Sequence, residues 1–308
     1  MTVVIISHPS CQQHLAPEGH PECPERIDAI RNQMIASGLD FVVNERDAQE
    51  VTDAQLQAVH DADYLASLKS LPPSNGIRVF DNDVWMSPKT LLAARHAAGS
   101  GVQAVDLVLT GKAKGVFCNV RPPGHHAERH RAMGFCIYNN IAVAAQYALD
   151  HHGLERVAIL DFDVHQGNGT LDIFLQEPRV LFCSTFQHPF YPNTELINQP
   201  GHIVNAPLAA TAKGEDFRQA VKHYWLPALE QFQPQLLLIS AGFDGHLLDD
   251  MSSVSLTEAD YAWVTTELRA YVDNHDFCLG IVSMLEGGYD LPALGRSAVA
   301  HIKAMGKL

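Results

Sequence analysis

Four stretches of this chain end an apolar, β-rich run in side chains able to bind a metal or move a proton. Val116–Val120 runs into Arg121-Pro122-Pro123-Gly124-His125-His126, and Val157–Leu160 into Asp161-Phe162-Asp163-Val164-His165. Leu236–Ser240 runs into Ala241-Gly242-Phe243-Asp244, and Leu279–Leu285 into Glu286-Gly287-Gly288-Tyr289. Asp163 and His165 are two apart, so a continuing strand projects both to one side, where Asp244 can join them from another strand. Two carboxylates and one imidazole suit a divalent first-row ion, zinc first, with a position left open for water and substrate. A structural zinc would be closed by four ligands, usually cysteines. An isolated Asp-x-His pair reads as turn residues bonded to backbone, but four loaded strand ends together favour a metal.

The remaining side chains fit around that ion. Next to a water activated by the metal, one imidazole of His125-His126 can take a proton and an imidazolium can protonate a leaving amine. Asp161 and Asn168 would accept from the remote ring N–H of these histidines and set their tautomers. Gly287-Gly288 lets Tyr289 approach, and its phenol would donate to a developing oxyanion. The competing reading of Tyr289 is a core tyrosine after a turn.

Apolar runs at Val3–Ile6, Val116–Val120, Val157–Phe162, Val180–Phe186, Leu236–Ser240 and Leu279–Leu285 alternate with helical stretches over 24–37, 88–110, 139–152, 214–232, 257–274 and 291–305. Runs apolar almost throughout suit strands buried on both faces, so the pattern predicts an α/β fold: a mainly parallel central sheet with helices on both faces. Ligands of such sheets bind beyond the carboxyl ends of the strands, where the reactive residues fall.

The 308 residues carry 21 Lys+Arg against 35 Asp+Glu, a net charge of −14, which argues against an electrostatic nucleic-acid binder. With 46% hydrophobic and 18% charged residues the chain has the composition of a folded globule. The only linker-like segment, Leu71-Pro72-Pro73-Ser74-Asn75-Gly76, is short, so one domain over 1–308 is expected. No apolar run reaches the roughly 18 residues of a membrane span, and no signal-peptide pattern opens the chain. The six scattered cysteines form no CxxC pair. No membrane partner, reduced thiols and a cytoplasmic location follow as expectations.

Taken in order, these motifs resemble the zinc-dependent histone deacetylase family, including bacterial histone deacetylase-like amidohydrolases and acetylpolyamine amidohydrolases. The resemblance runs through His20-Pro21-Glu22-Cys23-Pro24-Glu25-Arg26, Asp81-Asn82-Asp83-Val84-Trp85, the segment Arg121 to Glu128 and Gly134-Phe135-Cys136. It continues through Asp161 to Thr170, Ser240 to Asp244, and Glu286 to Tyr289, with forms closer to the class II branch. It implies a single-domain arginase/deacetylase-like fold and one Zn²⁺ per chain on Asp163, His165 and Asp244. His126 becomes the general base, His125 its electrostatic partner or acid, Asp161 and Asn168 their supports, and Tyr289 the group that polarises the acyl carbonyl. The substrate tunnel would be lined by Gly134, Phe135, Tyr191 and Gly288, with Met251 near the rim. The rim carboxylate would be Asp83, with Asp81 a rival, and Arg26 would lie internally below the metal. The family's K⁺ sites would fall at Asp161, Asp163, His165, Ser184 and Thr185, and near Phe174 and Val180.

The reaction implied is hydrolysis of an N-acyl amide on an aliphatic amine, with an acyl-lysine peptide or protein, or an acylated polyamine, as the substrate partner. A binuclear manganese ureohydrolase would need more aspartate ligands. A non-enzymatic acyl-lysine binder or scaffold is disfavoured by the intact catalytic set.

Overall fold

The computed structural model describes residues 3–81 and 83–308. Its strands are β1 (Val3–Ser7), β2 (Asn44–Asp47), β3 (Arg78–Asp81), β4 (Val84–Met86), β5 (Gly115–Cys118), β6 (Val157–Asp161), β7 (Val180–Gln187), β8 (Ile203–Leu208), β9 (Leu237–Ala241) and β10 (Ile281–Leu285). Eight form one sheet in the order β2-β1-β5-β10-β9-β6-β7-β8, with every neighbouring pair parallel. β3 and β4 make a separate antiparallel pair. The five central strands β5, β10, β9, β6 and β7 are buried along their whole length, which explains why their sequences are apolar without alternation.

The helices are α1 (Glu25–Ala36), α2 (Asp53–Gln57), α3 (Ala62–Leu68), α4 (Thr90–Leu109), α5 (Asn140–Asp150), α6 (Asn168–Phe174), α7 (Gly214–Ala220), α8 (Leu226–Phe232), α9 (Glu258–Asn274) and α10 (Leu291–Gly306). Asn139 and Asp290 cap α5 and α10 with their side chains, each accepting from the backbone three residues on. The expected helix over 214–232 is interrupted: Val221–Trp225 is π-helical between α7 and α8. Pro227 has no N–H to offer the carbonyl four residues back, so a regular ladder cannot run through it. Two edge strands escape the apolar pattern, because β2 is exposed at every position and β8 is interrupted by Pro207. No helix among the described residues is long and apolar enough to cross a membrane.

One ionic cluster ties the N-terminal segment beneath the carboxyl edge of the sheet. Glu22, fully buried, accepts from Arg121 Nη2 at 2.6 Å and from Arg26 Nη1 at 3.2 Å. Arg121 also donates to the carbonyls of Cys11 and His14. Arg26, internal as its motif implies, donates to the carbonyls of Gly288, at 2.7 Å, and Glu286, so it grips the loop that carries Tyr289. Burial alone would raise the Glu22 carboxyl, but Arg121, His14 and Arg26 overcome it and hold it at about 2 against an ordinary 4.5. A depressed carboxyl contributes stability that is complete above its unfolded value and disappears as pH falls toward its folded one. Glu22→Gln should therefore cost about 3–5 kcal/mol of folding stability, since it strands two buried guanidinium groups. Denaturant titrations should show the native protein losing stability from about pH 4.5 toward 2, with a flatter profile for the variant.

Candidate metal centre

All the reactive groups collect at the carboxyl edge of β5, β6, β9 and β10. β6 ends at Asp161 and the chain then bends through 163–165 rather than continuing as the strand expected from the sequence. His165 N donates back to Asp163 Oδ1 at 2.9 Å, and this turn brings both side chains to one point, where Asp244 arrives from the turn after β9. His165 Nδ1 lies 3.1 Å from Asp163 Oδ1 and 3.1 Å from Asp244 Oδ2. The ligating atoms of the three residues all fall within 4.8 Å of one another, and the residues are buried. Metal–ligand bonds of about 2.0–2.1 Å in a tetrahedral site put ligand atoms roughly 3.3 Å apart, so the donor set fits one ion.

The other carboxylate oxygens are committed to backbone. Asp163 Oδ2 accepts from Gly287 N at 2.8 Å, and Asp244 Oδ1 from Val164 N at 3.0 Å. Gly287 must be glycine here, because a Cβ would sit 2.1 Å from Asp244 Oδ2. Burial pushes Asp244 up to about 6, with help from the Asp163 charge, whereas the imidazoles of His125 and His165 hold Asp163 low despite its burial. Burial also disfavours charge on His165, but hydrogen bonds to both carboxylates lift it to about 10. Without a metal, the imidazolium is the cation that this pair of carboxylates retains.

The paired histidines have unlike partners. His125 Nδ1 meets Asp161 Oδ2 at 2.9 Å, and His126 Nδ1 meets Asn168 Oδ1 at 2.7 Å. Their ring centroids are 4.0 Å apart. Burial opposes protonation of both. At His125 the charges of Asp161, Asp163 and Glu286 outweigh it and hold the pKa well up, whereas at His126 the neighbouring His125 and His165 add to it and push the pKa well down. The site thus holds one imidazolium beside one neutral imidazole.

The expected tunnel residues also converge. Gly134 and Phe135 form a left-handed pair, φ 55° and 67°. Positive φ is strained for a phenylalanine, by roughly 1–3 kcal/mol, and it delivers the ring to a position 6.1 Å from Tyr289. Gly134 cannot carry a side chain, since a Cβ would lie 2.3 Å from the His126 ring. Tyr191 packs edge-on to His126, centroids 5.2 Å apart. Asp83 Oδ2 accepts from the Tyr191 hydroxyl at 2.6 Å and from Gly134 N at 3.1 Å, so it bridges the two walls, while Asp81 is exposed. Half-buried Met251 stands on the loop after β9. The Tyr289 ring lies under the Arg26 guanidinium at 4.9 Å, and burial above all keeps its phenol protonated. Ser184 and Thr185, on β7 beside Asp161, each bury a hydroxyl that finds no hydrogen-bond partner.

Several contributors had no assigned role in the sequence. Glu286 accepts from Gly124 N at 2.7 Å, His125 N at 3.1 Å and Ser240 Oγ at 3.1 Å, fixing the His125-His126 loop. Burial lifts this carboxyl to about 7. Asp249 accepts from the backbone of Met251, Tyr289 and Asp290, tying the rim loop to the Tyr289 loop. Phe190 stacks on His165 at 5.5 Å. Glu286 stood inside a recognised motif, so its position was a signal; Asp249 and Phe190 carried none.

A family model for the histone deacetylase domain matches residues 20–305. The chain is 35% identical over 300 residues to the histone deacetylase-like amidohydrolase of Pseudomonas aeruginosa, covering 94% of this chain and 78% of that protein. It is 34% identical over 306 residues to the polyamine deacetylase HDAC10 of Mus musculus, covering 94% of this chain and 45% of the mouse protein. The crystal structure of the HDA15 HD domain superposes with a TM-score of 0.90 at 33% identity, over 99% of this chain and 88% of that one.

Because His165 carries a proton on the metal-free protein at neutral pH, an ion must displace it from the carboxylates. Calorimetric titration of Zn²⁺ in buffers of different ionisation enthalpy should report about one proton released per ion near pH 7. Affinity should climb about tenfold per pH unit between roughly 7 and 9. An affinity independent of pH would contradict this charge arrangement.

Proposed function

This chain belongs to the histone deacetylase domain family, and from that premise we propose that it is a zinc-dependent amidohydrolase removing acetyl or other acyl groups from N-acylated aliphatic amines. One observation carries the reading: the buried Asp163–His165–Asp244 triangle sits beside an imidazole pair whose Nδ1 atoms meet Asp161 and Asn168, with the Tyr289 loop bonded to Asp163 through Gly287 N. Asp163, His165 and Asp244 would hold one Zn²⁺. Zinc so held supplies Lewis acidity toward the acyl carbonyl and lowers the pKa of water to about 7.

The chain's own groups do the rest. His126, neutral and bonded through Nδ1 to Asn168, has Nε2 available to take a proton as attack begins. His125, held cationic by Asp161, offsets the negative charge that develops and serves as the electrostatic partner or acid for the departing amine. The Tyr289 hydroxyl donates to the carbonyl oxygen as it becomes an oxyanion. Phe135 and Tyr191 flank a straight aliphatic chain, with Gly134 and Gly288 giving close backbone approach, Met251 beside the rim and Asp83 gripping the substrate there.

The unpaired Ser184 hydroxyl, at the β7 position paired with Asp161, supports a structural K⁺ held largely through backbone oxygens of Asp161, Asp163, His165 and Thr185, and a second K⁺ is proposed near Phe174 and Val180. We assign residues 1–308 to a single catalytic domain. Six free cysteines, five of them buried, support a reducing, cytoplasmic setting. An acylated lysine peptide or protein is the first substrate class. An acylated polyamine is the second, favoured by the −14 net charge and by likeness to the mouse polyamine deacetylase.

Carboxylate release tests this reading, with and without chelator: acetate from acetyl-lysine peptides and acetylputrescine, and the matching longer-chain acid from longer acyl-lysines. Chelator-sensitive release supports it; a zinc-loaded protein that binds acylated peptides without releasing acetate refutes it in favour of a binding scaffold. Tyr289→Phe should keep its zinc and fold while kcat falls about 10²–10³-fold. Undiminished turnover would remove the phenol from the reaction.

A further inference from the structure

His125 and His126 differ in how firmly their tautomers are specified. The partner of His125 is the Asp161 carboxylate, which only accepts, so Nδ1 of His125 must carry hydrogen. The partner of His126 is the Asn168 amide, which presents an acceptor on one side and a donor on the other. Turned one way, Asn168 keeps hydrogen on His126 Nδ1 and leaves Nε2 as a base. Turned the other way, it would donate to Nδ1, force the hydrogen onto Nε2 and abolish the base. An amide alone therefore leaves the decisive proton unspecified.

A third residue removes that freedom. Glu128 Oε1 lies 2.8 Å from Asn168 Nδ2, on the side of the amide away from His126. Arg131 holds the same carboxylate in a two-pronged pair, Nε to Oε2 at 2.7 Å and Nη2 to Oε1 at 2.9 Å. The backbone closes this turn too, with Glu128 N donating to Arg131 O at 3.0 Å. An ionised carboxylate has nothing to donate, so Asn168 must present its NH₂ to Glu128 and its oxygen to His126. Glu128 and Asn168 are buried, 8% and 3% exposed, so water does not readily substitute for either partner.

We propose that Glu128 is a positioning residue for the reaction: clamped by Arg131, it orients the Asn168 amide and thereby fixes His126 as the Nδ1–H tautomer with Nε2 free to accept a proton. Glu128 touches no reacting atom. The inference rests on the proposed role of His126 as base.

The test is a double-mutant cycle on the full chain, with Glu128→Gln, Asn168→Asp and the two combined. Glu128→Gln offers Asn168 a donor or an acceptor and loosens the amide, so kcat should fall about 10–100-fold with KM changed less than about threefold. Asn168→Asp sets a second carboxylate against Glu128 and should be at least as damaging. The combined variant restores a donor facing an acceptor and leaves only carboxylate oxygen for His126, so kcat should recover to within about fivefold of the native enzyme. Histidine ¹⁵N NMR on the metal-free protein supplies a readout independent of turnover. The His126 signals, assigned by their loss in His126→Gln, should show hydrogen on Nδ1 in the native and combined variants and a tautomer mixture in Glu128→Gln.

A Glu128→Gln protein with native kcat and an unmixed tautomer would overturn the proposal. So would a combined variant no better than the product of the single losses, whether those losses came through turnover or folding. If no acylated amine is hydrolysed by any form, the reading of the reaction fails, while the NMR comparison still decides the role of Glu128.

Discussion

The structure is organised around concentrated negative charge where water cannot reach. Asp161, Asp163, Asp244 and Glu286 are all fully buried at the carboxyl edge of one parallel sheet. Isolated carboxylates in such a place would take up protons or force the fold open, because desolvation costs far exceed what a single hydrogen bond returns. Each is instead met by oriented donors: Gly287 N on Asp163, Val164 N on Asp244, Gly124 and His125 N on Glu286, and the His125 ring on Asp161. Backbone donors of this kind are available because the strands end together and their loops turn over the edge. Parallel topology thus supplies the electrostatics of the site as well as its position.

That arrangement makes two adjacent residues of one type behave differently. His125 looks toward carboxylates and becomes cationic; His126 looks toward an amide and other imidazoles and stays neutral. Their spacing alone does not distinguish them, since the difference arises from groups the fold brings near, Asp161, Asp163 and Glu286 at His125 and His165 at His126. A burial penalty common to both rings is resolved in opposite directions by their neighbours.

The chemistry was legible because the sheet's own grammar is. Apolar runs mark central strands, and polar residues immediately after them must lie at the shared edge, so Asp163, His165, Asp244 and Tyr289 could be grouped before any contact was visible. The edge strands were not legible in that way. β2 reads Asn44-Glu45-Arg46-Asp47, a wholly polar and exposed tetrapeptide that pairs with β1 through backbone alone. The supports were the hardest to read. Glu22, Glu128 and Glu286 sit in recognisable motifs, yet their work is done on partners such as Arg121, Asn168 and Gly124 that only the folded chain brings near. The triad announces itself by spacing, whereas its supports are defined by which lone pair faces which hydrogen.

Reaction class and substrate choice are consequently held in separate parts of the molecule. The triangle, the imidazole pair and the Tyr289 loop are anchored to buried strands. The segments that carry Gly134 and Tyr191 are joined by the Asp83 carboxylate, which accepts from Gly134 N and from the Tyr191 hydroxyl. A phenylalanine in place of Tyr191 would leave Asp83 Oδ2 with one of these two donors. The rim can therefore be retuned by a single hydroxyl without touching a metal ligand or a histidine, since function grafted on surface loops varies more freely than the scaffold beneath.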